Sequence, residues 1–237
     1  MRWTATSCWM SLLCAACASV MTTVSCAHTT THSVVPPKSL VMGGRKSRTT
    51  FFVTSVGLGK GGNLGGLAGA DAHCQALATA EGAGDHTWRA YLSTSATTTT
   101  RAVNARDRIG RGPWYNAEAE LIAATLEDLH SGRNQIAKDL AVTERADLVN
   151  GVTKTPNRHD ILTGSRPDGT AFGRSDDLTC ENWTLGSGGH AQVGHHDRMG
   201  QGAGASSWNS AHASRGCSPL DLESTGGAGL FYCFAID

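Results

Sequence analysis

Two apolar patterns mark the start of a folded region after residue 48. Residues 49–56 (TTFFVTSV) combine β-branched and aromatic side chains and predict a strand. In the next segment apolar residues recur at helical spacing and predict a helix with Cys74 on its buried face. These residues are Leu67, Ala70, Cys74, Leu77 and Ala78. Residues 87–94 alternate between apolar and polar and predict a return to strand.

A second helix is predicted between Asn116 and Gly132. Asn116 is a capping residue, and Glu118 and Glu120 would lie in the first turn, where the helix dipole favours acids. The inner stripe would consist of Leu121, Ile122, Thr125, Leu126 and Leu129. Residues 160–165 and 230–236 predict further strands. Two helices with scattered strands and long glycine-rich loops predict an α+β fold.

The N-terminal segment predicts export. Residues 9–21 are apolar or small, carry no charge, follow Arg2 and are too short to span a bilayer comfortably. Residues 23–26 (TVSC) are similar to a bacterial lipobox, although Thr23 stands where leucine is usual. We therefore expect residues 1–25 to be a lipoprotein-type signal and Cys26 to be lipidated. Cys17 as the lipidated residue and an ordinary cleaved signal without lipid both remain open.

Residues 26–48 predict a disordered tether, because they contain few large apolar side chains. Residues 49–237 are then one domain, secreted or held at the cell envelope (the bacterial outer membrane or cell surface), with the membrane contacted only through the lipid.

Charge is distributed unevenly along the chain. All 20 acidic residues lie after residue 50, and five of the 20 basic residues precede it, which leaves 15 basic side chains and a net charge of −5 in the domain. A negative domain argues against bulk electrostatic attraction to nucleic acid or to sulphated glycans, and a local basic patch remains open.

Four of the eight cysteines lie beyond Cys26. They are Cys74, Cys180, Cys217 and Cys233. An even number in an exported chain predicts two disulfides, although four cysteines allow three pairings.

Several motifs together resemble the endostatin domain, a variant of the C-type lectin-like fold. They include residues 65–75 (GGLAGADAHCQ), 88–93 (WRAYLS), 104–108 (NARDR) and 179–183 (TCENW), and they occur in the same order up to Cys233. The resemblance covers most of residues 51–237. It implies a nested disulfide pattern, Cys74 with Cys233 and Cys180 with Cys217, and chain ends that lie close together.

The known binding sites of these families transfer poorly. Endostatin binds zinc through N-terminal histidines, but His28 and His32 are in no matching motif. Its heparin-binding arginines have counterparts near Arg106 and Arg108, against which the net charge of the domain argues. For calcium-dependent sugar binding, residues 166–168 (RPD) precede Cys180 and predict a turn, and residues 208–210 (WNS) have serine in place of the acidic ligand.

A histidine-rich loop between the two inner cysteines is unlike endostatin. Its histidines could hold Zn²⁺, and the metal candidates are His195, His196 and His212. Contact with a ligand is predicted for Trp208, Asn209, His190, Asp197 and Arg198. A solvent-exposed polar loop without a ligand is the alternative.

These observations predict a non-catalytic extracellular recognition module that binds a glycan or a protein, with no catalytic residue and no nucleic-acid partner. Zn²⁺ and Ca²⁺ remain candidate ions. The alternatives are zinc-dependent binding or enzyme activity centred on residues 190–212, and a structural envelope protein with no small ligand. The spacing Gly57-x-Gly59-x-x-Gly62 is similar to a dinucleotide fingerprint, but no repeated βαβ pattern follows it.

Overall fold

A computed structural model describes residues 46–237. Its strands are β1 (Phe51–Val53), β2 (Trp88–Ala90), β3 (Trp114–Tyr115), β4 (Leu121–Ala123), β5 (Asp160–Leu162), β6 (Gln192–His195), β7 (His212–Ala213) and β8 (Gly227–Ala235). Its α-helices are α1 (Gly66–Ala80), α2 (Leu126–Leu129), α3 (Cys180–Trp183) and α4 (Pro219–Glu223). The α+β class is confirmed, but the described part of the chain contains four α-helices instead of the two expected. The signal segment, Cys26 and most of the expected tether lie outside the described residues.

Strand β8 is the centre of the main sheet. The strand order is β1-β8-β5-β6-β7, and β2 pairs with β8 as well. β8 is antiparallel to β1 and β2 and parallel to β5, whereas β6 is antiparallel to both β5 and β7. β7 is therefore an edge strand of this mixed sheet.

Side chains of β8 alternate between two hydrophobic clusters, as the two-residue period of a strand requires. Phe231 and Cys233 lie in the cluster beneath α1. Tyr232 and Phe234 lie in the cluster on the other side of the sheet. Because both faces are covered, almost every side chain of β8 is buried, which explains its continuous apolar sequence.

Helix α1 confirms the helix expected around Cys74, since Ala70, Cys74 and Ala78 form its buried stripe. The disulfides Cys74–Cys233 and Cys180–Cys217 are both present, with Cα–Cα distances of 5.6 Å and 5.9 Å. The nested pattern is thereby confirmed. The first described residue also lies beside the C-terminus, because Lys46 Nζ is 2.6 Å from the Asp237 carboxylate.

The prediction of a long second helix between Asn116 and Gly132 was wrong. Asn116 Oδ1 accepts hydrogen bonds from the backbone N–H groups of Glu118 and Glu120, but it closes the turn of the β3–β4 hairpin, in which Ala119 has a φ of 62°. Only α2 is helical, with the Thr125 hydroxyl accepting from Asp128 N–H as its cap. The apolar run of residues 121–123 fits either structure, and pairing with β3 decides the outcome.

Helix α3 is a single left-handed turn, because residues 180–183 all have positive φ values, between 47° and 68°. Such a conformation costs about 1–2 kcal/mol per non-glycine residue. The Cys180–Cys217 disulfide and the hydrogen bond from Trp183 Nε1 to Ser93 O, 2.8 Å long, hold the turn in place. No helix within residues 46–237 is long and apolar enough to cross a membrane.

Candidate metal centre

Three neighbouring strands bring a carboxylate and three histidines together at one end of the sheet. Asp160 opens β5 and pairs with His195, the last residue of β6. His212 opens β7 and pairs with Val193, two residues before His195. Residues opposite each other or two apart on adjacent strands share a face, so this register places all three side chains on the same side of the sheet. His159 directly precedes β5.

The three imidazoles converge on a single oxygen atom of the Asp160 carboxylate. Asp160 Oδ1 lies 3.3 Å from His159 Nε2, 3.3 Å from His195 Nε2 and 3.4 Å from His212 Nε2. Ligand atoms of His159, Asp160 and His195 all lie within 4.8 Å of one another. His212 is not part of that mutually close group, although it reaches the same oxygen.

The carboxyl group of Asp160 is buried and has no hydrogen-bond partner. Its side chain is 2% exposed, and neither carboxylate oxygen has a hydrogen-bond partner. Burial acts to raise the pKa of Asp160, whereas His195 and His212, where they donate a proton towards the carboxylate, lower the pKa to about 2. A buried ionised carboxylate without hydrogen bonds is strongly unfavourable unless a cation compensates it.

The other ring nitrogen of each histidine identifies its tautomer. His195 Nδ1 lies 3.0 Å from Ala205 O, and His212 Nδ1 lies 3.0 Å from Ala213 O. A carbonyl oxygen only accepts hydrogen bonds, so each Nδ1 carries the proton. His159 Nδ1 lies 3.2 Å from Asp197 Oδ1, which gives the same result. In the neutral rings all three Nε2 atoms therefore carry a lone pair and lie within 3.4 Å of the same carboxylate oxygen.

Protonation of the histidines would compensate the charge of the buried Asp160 carboxylate only in part. Asp160 raises the pKa of His212, and a proton on His212 Nε2 would neutralise one of the three contacts. The rings of His159 and His195, however, stack with centroids 4.1 Å apart. Two protonated rings at that separation would repel each other. A divalent cation bound at Asp160 would compensate the carboxylate without placing a proton on both stacked rings.

The distances fit a tetrahedral transition-metal ion. Zn²⁺ binds histidine nitrogen and carboxylate oxygen at about 2.0–2.1 Å, so neighbouring ligand atoms in a tetrahedron are about 3.3–3.4 Å apart. The measured separations from Asp160 Oδ1 are 3.3 to 3.4 Å. Ca²⁺ requires six to eight oxygen ligands, whereas imidazole nitrogens dominate this group. The donor set thus favours Zn²⁺ or a similar ion and does not fit Ca²⁺.

Asp197 contacts the His159 ring on the side away from Asp160 and fixes its position. It accepts hydrogen bonds from the backbone N–H groups of Val152 and Met199, at 2.8 Å and 3.1 Å, as well as from the His159 ring. Burial acts to raise the pKa of Asp197, but these hydrogen bonds hold it well below its usual range. A carboxylate behind a metal-binding imidazole fixes the orientation and tautomer of the ring.

Among the residues expected to bind metal, His195 and His212 reach the cluster and His196 does not. His196 is fully buried, its Nε2 lies 3.5 Å from Asn150 O, and its Nδ1 has no partner. Successive side chains along an extended chain point in opposite directions, so adjacent His195 and His196 cannot both face Asp160. Burial lowers the pKa of His196 to about 4.

The expected ligand contacts are mostly engaged within the protein. Trp208 is only 4% exposed and packs against Tyr91 and Tyr232, so neither face of its ring is free to stack on a sugar. Asn209 is buried and donates to Tyr91 Oη and to the carbonyls of Arg166 and Pro167.

Two further residues of this loop that were expected to contact a ligand, Arg198 and His190, also lie outside the cluster. Arg198 donates to the backbone carbonyl of Ile136 and to the Asn134 side chain. His190 is exposed, and its Nδ1 lies 2.9 Å from Ser214 O.

The motifs that resemble those of other families take part in contacts within the protein. Residues 166–169 form a turn closed by the hydrogen bond from Gly169 N–H to Arg166 O, as the sequence predicted. Arg108 donates to both oxygens of Asp71 at 2.7 Å. Arg106 donates to Asp168 O.

Sequence reasoning missed His159 and Asp160. Their signal was a histidine–aspartate pair at the start of a strand whose remaining residues are apolar. A charged side chain entering a buried strand requires a partner, and that requirement would have singled out Asp160.

No protein-family model matches the chain, and no curated protein sequence matches it. The resemblance to the endostatin domain remains a prediction.

Proposed function

We propose that this protein is an extracytoplasmic binding module whose binding element is a transition-metal ion, with Zn²⁺ as the best fit. The ion would be held by His159 Nε2, Asp160 Oδ1 and His195 Nε2, with His212 beside it. The observation that supports this most is the Asp160 carboxyl group, which is buried without a hydrogen bond amid three imidazole nitrogens. The two disulfides support an oxidising compartment.

The remaining expectations belong to this proposal. The scaffold would be a C-type lectin-like domain, presented at the cell envelope through the N-terminal segment and a lipid on Cys26. The module would recognise a glycan or protein without chemistry of its own. The carboxylate beside the His159 ring, Asp197, is committed to that ring and to two backbone N–H groups, so it is not free to act as a general base.

The test is a calorimetric titration of the metal-free chain with Zn²⁺. We expect one ion per chain for wild type and for His190→Ala, which removes an exposed histidine from the same loop. His195→Ala and His159→Ala should each lose binding. Equal zinc binding by wild type and both cluster variants would overturn the proposal. Circular dichroism of each variant separates lost binding from lost folding.

A further inference from the structure

His212 differs from the other three members of the cluster in its exposure. The side chains of His159, Asp160 and His195 are 5%, 2% and 3% exposed, whereas that of His212 is 36% exposed. It lies on β7, the edge strand of the sheet. The solvent-facing side of the cluster is therefore the His212 side.

The anchoring of the rings differs in the same way. Asp197 holds the His159 ring, and its carboxylate is itself fixed by two backbone N–H groups. The carbonyl of Ala205, ten residues further along the chain, holds the His195 ring. Outside the cluster, where it contacts Asp160 and the His195 ring, the His212 ring has only the carbonyl of the next residue, Ala213, as a hydrogen-bond partner. Rotation of the His212 ring away from the ion would therefore break no hydrogen bond between this ring and the rest of the fold.

The ligand geometry agrees with this difference. His159, Asp160 and His195 form a mutually close group of three donors, and His212 is not part of it. Three protein ligands with a fourth position open to an outside molecule are typical of zinc sites that exchange ligands, whereas closed structural sites have four fixed protein ligands.

We propose that the fourth coordination position of the ion is exchangeable, and that His212 competes there with an external carboxylate ligand. This inference rests on the proposed function. A divalent ion with one carboxylate and neutral imidazoles retains a net positive charge, which favours an anionic oxygen donor over a neutral one. Access from the edge of the sheet means that the carboxylate of a small molecule or of a polypeptide can reach the ion without unfolding the core.

The experiment replaces zinc by Co²⁺, whose visible absorption reports the number and type of its ligands. Acetate is added to the Co²⁺-loaded chain, and neutral acetamide serves as the control. We expect a saturable change of the spectrum with acetate and none with acetamide. A peptide with a free C-terminal carboxylate, compared with its amidated form, distinguishes a polypeptide source from a small-molecule source, and a response to either carboxylate supports the inference.

The variant His212→Ala provides the second arm. It should still bind one Co²⁺ and should bind acetate more tightly than wild type does. If His212 holds the position about nine-tenths of the time, the gain is about tenfold. His190→Ala should behave as wild type.

Two results would overturn the inference. A wild-type spectrum that ignores acetate, together with loss of Co²⁺ in His212→Ala as complete as in His195→Ala, would make His212 a fixed ligand of a closed site. Failure of the wild-type chain to bind Co²⁺ would instead overturn the proposed function itself, and the inference with it.

Discussion

Asp197 and Asp160 lie on opposite sides of the His159 ring. Asp197 Oδ1 is 3.2 Å from His159 Nδ1, and Asp160 Oδ1 is 3.3 Å from His159 Nε2. The first carboxylate has backbone hydrogen-bond partners, and the second has none. The two acids therefore differ in their surroundings, since Asp197 orients the imidazole and Asp160 is the acid that we propose as a metal ligand.

Replacing Asp197 with asparagine should weaken zinc binding without abolishing it. Loss of the partner behind a metal-binding imidazole typically reduces metal affinity about 10–100-fold. Calorimetric titration of Asp197→Asn measures the change, and Asp139→Asn, at an exposed acid, is the control. Affinity unchanged from wild type would show that the His159 ring needs no support from Asp197.

Zinc should raise the melting temperature of the chain. A ligand present at 100 times its Kd stabilises the folded state by about 2.7 kcal/mol. For a domain of this size that corresponds to about 5–10 °C. Thermal unfolding with and without Zn²⁺ measures the shift, which should vanish in His195→Ala. Ca²⁺ at the same concentration should have no effect, and an equal shift with Ca²⁺ would contradict the assignment of the donor set.

Acidification should destabilise the metal-free chain partly through His196. Burial lowers the folded-state pKa of His196 from 6.5 to about 4, so the neutral ring is favoured in the folded protein. The unfolded chain takes up the proton first, and the contribution of His196 to stability is full above pH 6.5 and is lost as the pH falls towards about 4.

The size of that loss is bounded by the pKa difference, at roughly 3 kcal/mol. Urea unfolding in the presence of a chelator, at several pH values, measures it. His196→Asn should show a smaller loss of stability over the same interval. Parallel pH profiles for the variant and wild type would mean that His196 does not carry this dependence.

The two disulfides should contribute unequally to stability. Their sequence separations are 159 residues for Cys74–Cys233 and 37 residues for Cys180–Cys217. In the loop-entropy model these spacings correspond to about 5 and about 4 kcal/mol. Urea unfolding of the double alanine variants should rank them in that order. A larger loss for Cys180→Ala/Cys217→Ala would assign extra stabilisation to the left-handed turn that Cys180 begins.

Local sequence patterns predicted the helices and strands whose structure depends on their own side chains. Helix α1 and strand β8 agree with expectation, because a helical stripe and a long apolar run are strong signals. The nested disulfides agree with what the resemblance to the endostatin domain implies, whereas the cysteine count alone left three pairings open. Residues 121–123 became a strand because β3 supplied hydrogen-bond partners, and no local pattern contains that information. For the same reason, the sequence predicted only part of the candidate metal centre. His195 and His212 lie in one conspicuous loop, whereas Asp160 joins them only through the pairing of β5 with β6.

Anomalous diffraction from crystals grown with Zn²⁺ tests the central claim most directly. We expect one anomalous peak per chain, about 2.0–2.2 Å from His159 Nε2, Asp160 Oδ1 and His195 Nε2. A structure in which Asp160 contacts only protonated histidines, with no zinc peak or with zinc bound elsewhere, would contradict it.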